Sequence, residues 1–87
     1  MAITSGQMQA TTVATMVDGI HQMPYRLTIH NADQTDALYL GNASVTPSDG
    51  FSLDKGQILQ LVINPLDALF VVSTKGSHLV TWLRETL

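Results

Sequence analysis

Cysteine is absent from the chain, which removes disulfides and thiolate zinc sites as sources of stability. Charge is scarce as well: Asp, Glu, Lys and Arg make up 13% of residues, about half the usual share for a soluble domain. Arg26, Lys55, Lys75 and Arg84 are scattered along the sequence and outnumbered by seven acids. Displacing counterions from nucleic acid needs clustered bases, so direct nucleic-acid binding is not expected. No apolar run approaches the roughly 18 residues of a membrane span, and the stretch Ile58–Ile63 is strand-sized. Residues 1–7 have neither a basic segment nor a continuous apolar one, so the sequence shows no secretory signal.

What remains is a chain of 87 residues that is 45% hydrophobic. That length makes one domain, and such a domain buries only about 60–65% of the surface its unfolded chain exposes. Without covalent staples, tight packing and oligomerisation are the available sources of further stability.

The pattern along the chain is that of short strands. Residues 1–8 are small and polar and read as an extended arm, with a single β domain over 9–87. Gln9–Val17 is rich in Thr and Val, which crowd a helix and suit a pleated sheet. Tyr25, Leu27 and Ile29 alternate with Arg26, Thr28 and His30, the period of a half-buried strand. A polar turn over 31–36 leads to Ala37–Leu40, which suggests a hairpin. Turn formers dominate 41–57, with Val45, Phe51 and Leu53 pinning that stretch to the core. Strands then follow at 58–63, 66–74 and 78–85. About six to eight short strands at this spacing predict an all-β antiparallel sandwich or small barrel.

The later strands carry apolar residues on both faces. Leu59, Leu61 and Ile63 oppose Ile58 and Val62; Leu69 and Val71 oppose Phe70 and Val72; Leu79 and Leu83 oppose Val80 and Trp82. A domain this small hides one such face in its own core, so the second implies another sheet, another chain or an exposed patch, and another chain is the economical answer. Phe70, Val72, Val80 and Trp82 are therefore the expected subunit interface, with closure of a barrel core as the alternative. Tyr25 and Phe51 are expected in the core.

The ordered elements Arg26-Leu27-Thr28-Ile29-His30-Asn31, Leu38-Tyr39-Leu40-Gly41, Val45-Thr46, Gly50-Phe51-Ser52-Leu53-Asp54-Lys55-Gly56, Asp67-Ala68-Leu69-Phe70 and Val80-Thr81-Trp82-Leu83 resemble small β-sandwich virion proteins of tailed bacteriophages. The resemblance implies a capsid decoration (cement) protein or a head fibre. As a decoration protein the chain would be a homotrimer bound to the major capsid protein on the virion surface and assembled in the host cytoplasm. Ile3, Thr4 and Met8 of the arm would touch the capsid, and deleting the arm would weaken attachment while leaving the fold intact. A tail component and a carbohydrate- or ligand-binding β-barrel are the alternatives.

Chemistry finds little purchase. His21, His30 and His78 lack the H-x-H or H-x-x-x-H spacing of a metal site. Asp33 and Asp36 share a turn but lack the further oxygen ligands that calcium requires, and Asx-turn bonding is their expected role. No serine sits in a G-x-S-x-G elbow, and no glycine-rich loop opens a helix. Asn42-Ala43-Ser44 matches a glycosylation sequon by chance. The sequence therefore assigns no catalytic residue, no cofactor-binding residue and no metal ligand, and the chain reads as a non-enzyme.

Overall fold

The computed structural model describes residues 2–87, and eight strands form among them. They are β1 (Ile3–Ala10), β2 (Thr15–Val17), β3 (Tyr25–Asn31), β4 (Leu38–Gly41), β5 (Phe51–Leu53), β6 (Ile58–Ile63), β7 (Leu69–Val72) and β8 (His78–Thr86). Two four-stranded antiparallel sheets, ordered β1-β8-β3-β6 and β2-β7-β4-β5, stack face to face. The fold is an all-β sandwich, and its strand order is that of a jelly roll. Every connection except β4–β5 crosses from one sheet to the other. β3 and β4 consequently do not form the expected hairpin; the turn over 31–36 carries the chain between layers.

β3 shows why the sequence folds this way. Its inward residues Tyr25, Leu27, Ile29 and Asn31 are buried, and Arg26, Thr28 and His30 between them are half-exposed. Leu38 and Leu40 of β4, Leu69 and Val71 of β7, Val17, Leu53, Ile63 and Val80 meet them between the sheets. Period-2 alternation on both layers thus builds one core.

The expected N-terminal arm is a strand. Residues 3–10 pair with β8 along their whole length, from Ile3 opposite Glu85 to Ala10 opposite His78. Met1, the first residue of the expected arm, lies outside the described residues. β1 looks arm-like in sequence because it is an edge strand whose inward stripe, Gly6, Met8 and Ala10, holds one large apolar side chain. Gly6 has to be small: a Cβ there would fall 2.4 Å from the Trp82 ring. The strand expected over Gln9–Val17 is broken in two, since β1 ends at Ala10 and Thr11–Ala14 cross to the other sheet.

The second apolar face has two physical causes. On β7, Val72 points away from the core yet is buried; beside it the loop over 42–50 folds back on β4, with Gly50 against Tyr39, the cross-strand partner of Val72. Val45 is the anchor of that loop and sits on Gly41, where a Cβ would meet the valine methyl at 2.7 Å. The loop is held by Asp49, whose Oδ1 accepts from the Thr46 amide at 2.8 Å and the Thr46 hydroxyl at 3.0 Å. On β8, the inward residues are Val80 and Trp82, so their apolar character is that of core. Val72 and Val80 are enclosed within one protomer and Trp82 packs on the core. The expected interface at Val72, Val80 and Trp82 is therefore corrected to interior packing; Phe70 alone remains half-exposed on the outer face. Phe51, expected in the core, is 62% exposed.

Candidate functional site: an open apolar seam

β5 and β6 are the edge strands on the same flank of the sandwich, one in each sheet. β5 has three residues and β6 six, so the shorter strand cannot cover the inner face of the longer one. The result is a groove of about 310 Å³ lined by Leu40, Gly41, Phe51, Leu59, Leu61 and Leu69. Leu59 and Leu61 are core-facing but only partly buried. Phe51 stands at its lip because its strand ends the sheet and no neighbour follows.

The outer side of the same flank is also apolar. Ile58 is 65% exposed and Val62 53%. β6 contains no charge and no proline, and its outward backbone N–H and C=O groups have no neighbouring strand among the described residues. Isolated edge strands usually carry Lys, Pro or a bulge that blocks pairing. β6 pairs with β3 in unbroken one-to-one register and has none of these. β1, on the opposite edge of that sheet, is likewise free of charge and proline.

Polar chemistry is concentrated at the two ends of the sandwich and ties strands together there. At one end Asn31, Ser73 and His78 are buried. The Asn31 Nδ2 donates to the carbonyls of Asp36 at 3.0 Å and Leu53 at 2.9 Å, which fixes Oδ1 as an acceptor. His78 Nε2, 2.7 Å from that Oδ1, must then carry the hydrogen, and Nδ1 accepts from the Ser73 hydroxyl at 2.9 Å. Nδ1 keeps that acceptor role as long as the ring is neutral. Its pKa is lowered chiefly by burial, with Lys75 adding to the effect against the opposing pull of Asp33 and Asp36. Close by, Lys75 Nζ lies 2.6 Å from Asp33 and 3.5 Å from Asp36. The lysine bond, with amides of the Asx turn, holds the Asp33 carboxyl well below the usual carboxylate range.

At the other end Arg84 Nη1 lies 2.7 Å and 2.8 Å from the two Asp18 carboxylate oxygens. Asp18 follows β2 and Arg84 lies in β8, so this pair joins the two sheets. Asp18 has φ of 62°, a left-handed conformation that aspartate tolerates better than most residues. His21 packs edge-on against Tyr25 with ring centroids 5.0 Å apart. The buried Tyr25 hydroxyl has no hydrogen-bond partner among the described residues, and burial, followed by the nearby Asp18 charge, raises its pKa.

The three histidines are thus dispersed: His78 is interior, His21 is at the opposite end, and His30 lies on the outer sheet face 3.3 Å from the Thr81 hydroxyl. Among the described residues no group of three or more His, Asp or Glu gathers as metal ligands would. Of the arm residues, Ile3 and Thr4 are exposed and Met8 packs against the core. In the sequence Leu40, Leu59, Leu61 and Leu69 read as strand positions and not as the lining of a groove. The signal that pointed to this flank was the doubly apolar run Ile58–Ile63.

No family model and no curated protein matches the sequence. Among solved structures, a protein of Bacillus endospore appendages, described as forming a novel family of disulfide-linked pili, superposes with a TM-score of 0.62. The match covers 99% of this chain and 86% of that one at 16% identity. The similarity is one of fold. The present sequence, without cysteine, supplies no thiol for a disulfide link.

Proposed function

We propose that the chain is a non-enzymatic structural subunit that works by packing against copies of itself in a larger assembly. The observation that carries this reading is the uncovered β5–β6 flank: an apolar groove beside a charge-free edge strand with Ile58 and Val62 exposed. Covering a fully exposed Val or Ile side chain stabilises by about 1.5–3 kcal/mol, and an unguarded edge offers backbone hydrogen bonds in addition. Monomers seldom leave such a strand open.

Decoration of a bacteriophage capsid is the form of assembly we favour, on the ordered motifs between Arg26 and Leu83. It places the protein on the head surface as a homo-oligomer bound to the major capsid protein, with Ile3 and Thr4 among the exposed residues available for that contact. The fold shared with a pilus-forming appendage protein supports a second reading, a filament subunit. Sedimentation velocity across a concentration series tests the common element of both: the chain is expected to associate, and Val62→Lys to return it to monomer. A monomer at every concentration would overturn the proposal. Electron cryomicroscopy of purified particles separates the two forms by position and copy number.

A further inference from the structure

We infer that the partner of the β6 edge is the β1 edge of a second copy, so that subunits join flank to flank in a directional, head-to-tail array. This inference rests on the self-assembly proposed above and specifies its contact.

The sheet β1-β8-β3-β6 has four strands, each antiparallel to the next. An even number of alternating strands leaves the two edges running in opposite directions. A copy displaced sideways across the strands therefore presents β1 antiparallel to β6, the polarity that continues the sheet. The hydrogen-bonding phase follows from the same count. Antiparallel ladders alternate bonded and non-bonded pairs, and the registers contain no bulge. After three pairings the outward N–H and C=O groups of β6 and β1 fall at the same levels, ready to meet.

Side chains agree with this register. Val62 lies in line with Arg26, Glu85 and finally Ile3. Gln60 lies in line with Ser5, and Ile58 with Gln7. A sideways displacement thus sets exposed Val62 beside Ile3 of the next copy, which is 66% exposed, and keeps outward residues with outward residues. No like charges are brought together, because neither edge carries any. The other sheet also has four strands. The same displacement sets Phe51 in line with Thr15 of the neighbour, through Leu40 and Val71, so Phe51 is covered as the groove closes.

The β6 edge offers six residues for pairing, about 20 Å of strand, and the β5 edge of the other sheet lies on the same flank. Because the two faces differ, the contact is heterologous and closes into a ring or grows into a filament according to the rotation between copies. Pairing of β6 with itself would give an isolated dimer instead.

The natural absence of cysteine permits a direct test. Ile3→Cys and Val62→Cys chains are prepared separately, mixed, oxidised and resolved without reductant, with sedimentation of the unsubstituted chain measured alongside. The expected result is a disulfide-linked pair at least ten times more abundant in the mixture than in either chain alone. Linkage within the Val62→Cys chain alone, or none in a mixture whose unsubstituted parent associates, would overturn the β1–β6 contact while leaving self-assembly standing. A parent that stays monomeric would remove both.

Discussion

His78 shows how one side chain makes stability depend on pH. Its folded pKa lies below the unfolded value because burial disfavours the charged ring. The native state therefore binds fewer protons than the unfolded chain below pH 6.5 or so, and stability is lost as pH falls through the folded pKa. The Ser73–His78–Asn31 chain of bonds adds a structural reason, since a proton on Nδ1 turns the acceptor for Ser73 into a donor. Urea midpoints measured from pH 8 to pH 5 should fall in that direction, and His78→Gln should flatten the slope; an unchanged slope would refute the assignment. Asp18 is the second sensitive position. Its carboxylate is nearly buried and bonded by Arg84, and removing one partner of such a pair costs about 3–5 kcal/mol. Asp18→Asn is expected to lower unfolding free energy by roughly 3 kcal/mol, measured by denaturant titration, whereas Asp54→Asn in an exposed turn should change little.

At the scale of elements, β1 carries a prediction that separates a strand from an arm. An arm could be deleted without harm to the fold, but loss of residues 3–10 would leave β8 paired only with β3 and bare Trp82 and the core beneath Met8 and Ala10. The shortened chain should unfold at markedly lower temperature, read by circular dichroism. Gly6→Val should do the same in milder form, because the indole leaves no room for a side chain. The central strands were legible in the sequence: β3 and the start of β8 alternate, and Asn64-Pro65 and Lys75-Gly76-Ser77 mark the breaks around β7. Among the edge strands β6 was read with its bounds, but β1 and β5 were not. β1 has one sparse inward stripe and β5 only three residues, so neither writes a periodic signal. Pairing was hidden for a different reason, since crossing connections put sequence neighbours such as β3 and β4 in different layers. The sequence left open what covers the doubly apolar faces: on β7 Val72 is buried within the protomer, and on β8 the inward stripe is Val80 and Trp82. On β6 the outward Ile58 and Val62 stay exposed among the described residues.

At the scale of the molecule, the fold joins its two ends: β1 pairs with β8 across nearly the whole sequence, and Ala2 N–H donates to Thr86 Oγ1 at 2.9 Å. Topologies dominated by such distant pairings fold in roughly milliseconds to seconds, and stopped-flow refolding is expected to fall in that range, with a microsecond phase alone counting against this topology. Association should follow a mass-action course, with thermal midpoints that rise with protein concentration if the assembled state is the stable one. The placement of Trp82 against Gly6 has a practical consequence for these measurements. It is the sole indole in the chain, and the N-terminal strand forms one wall of its surroundings. Its emission maximum is thus an optical gauge built into the natural sequence: a red shift that precedes the loss of β-sheet circular dichroism signals that this strand has lifted while the others hold, and a shift coincident with it signals collapse of the whole.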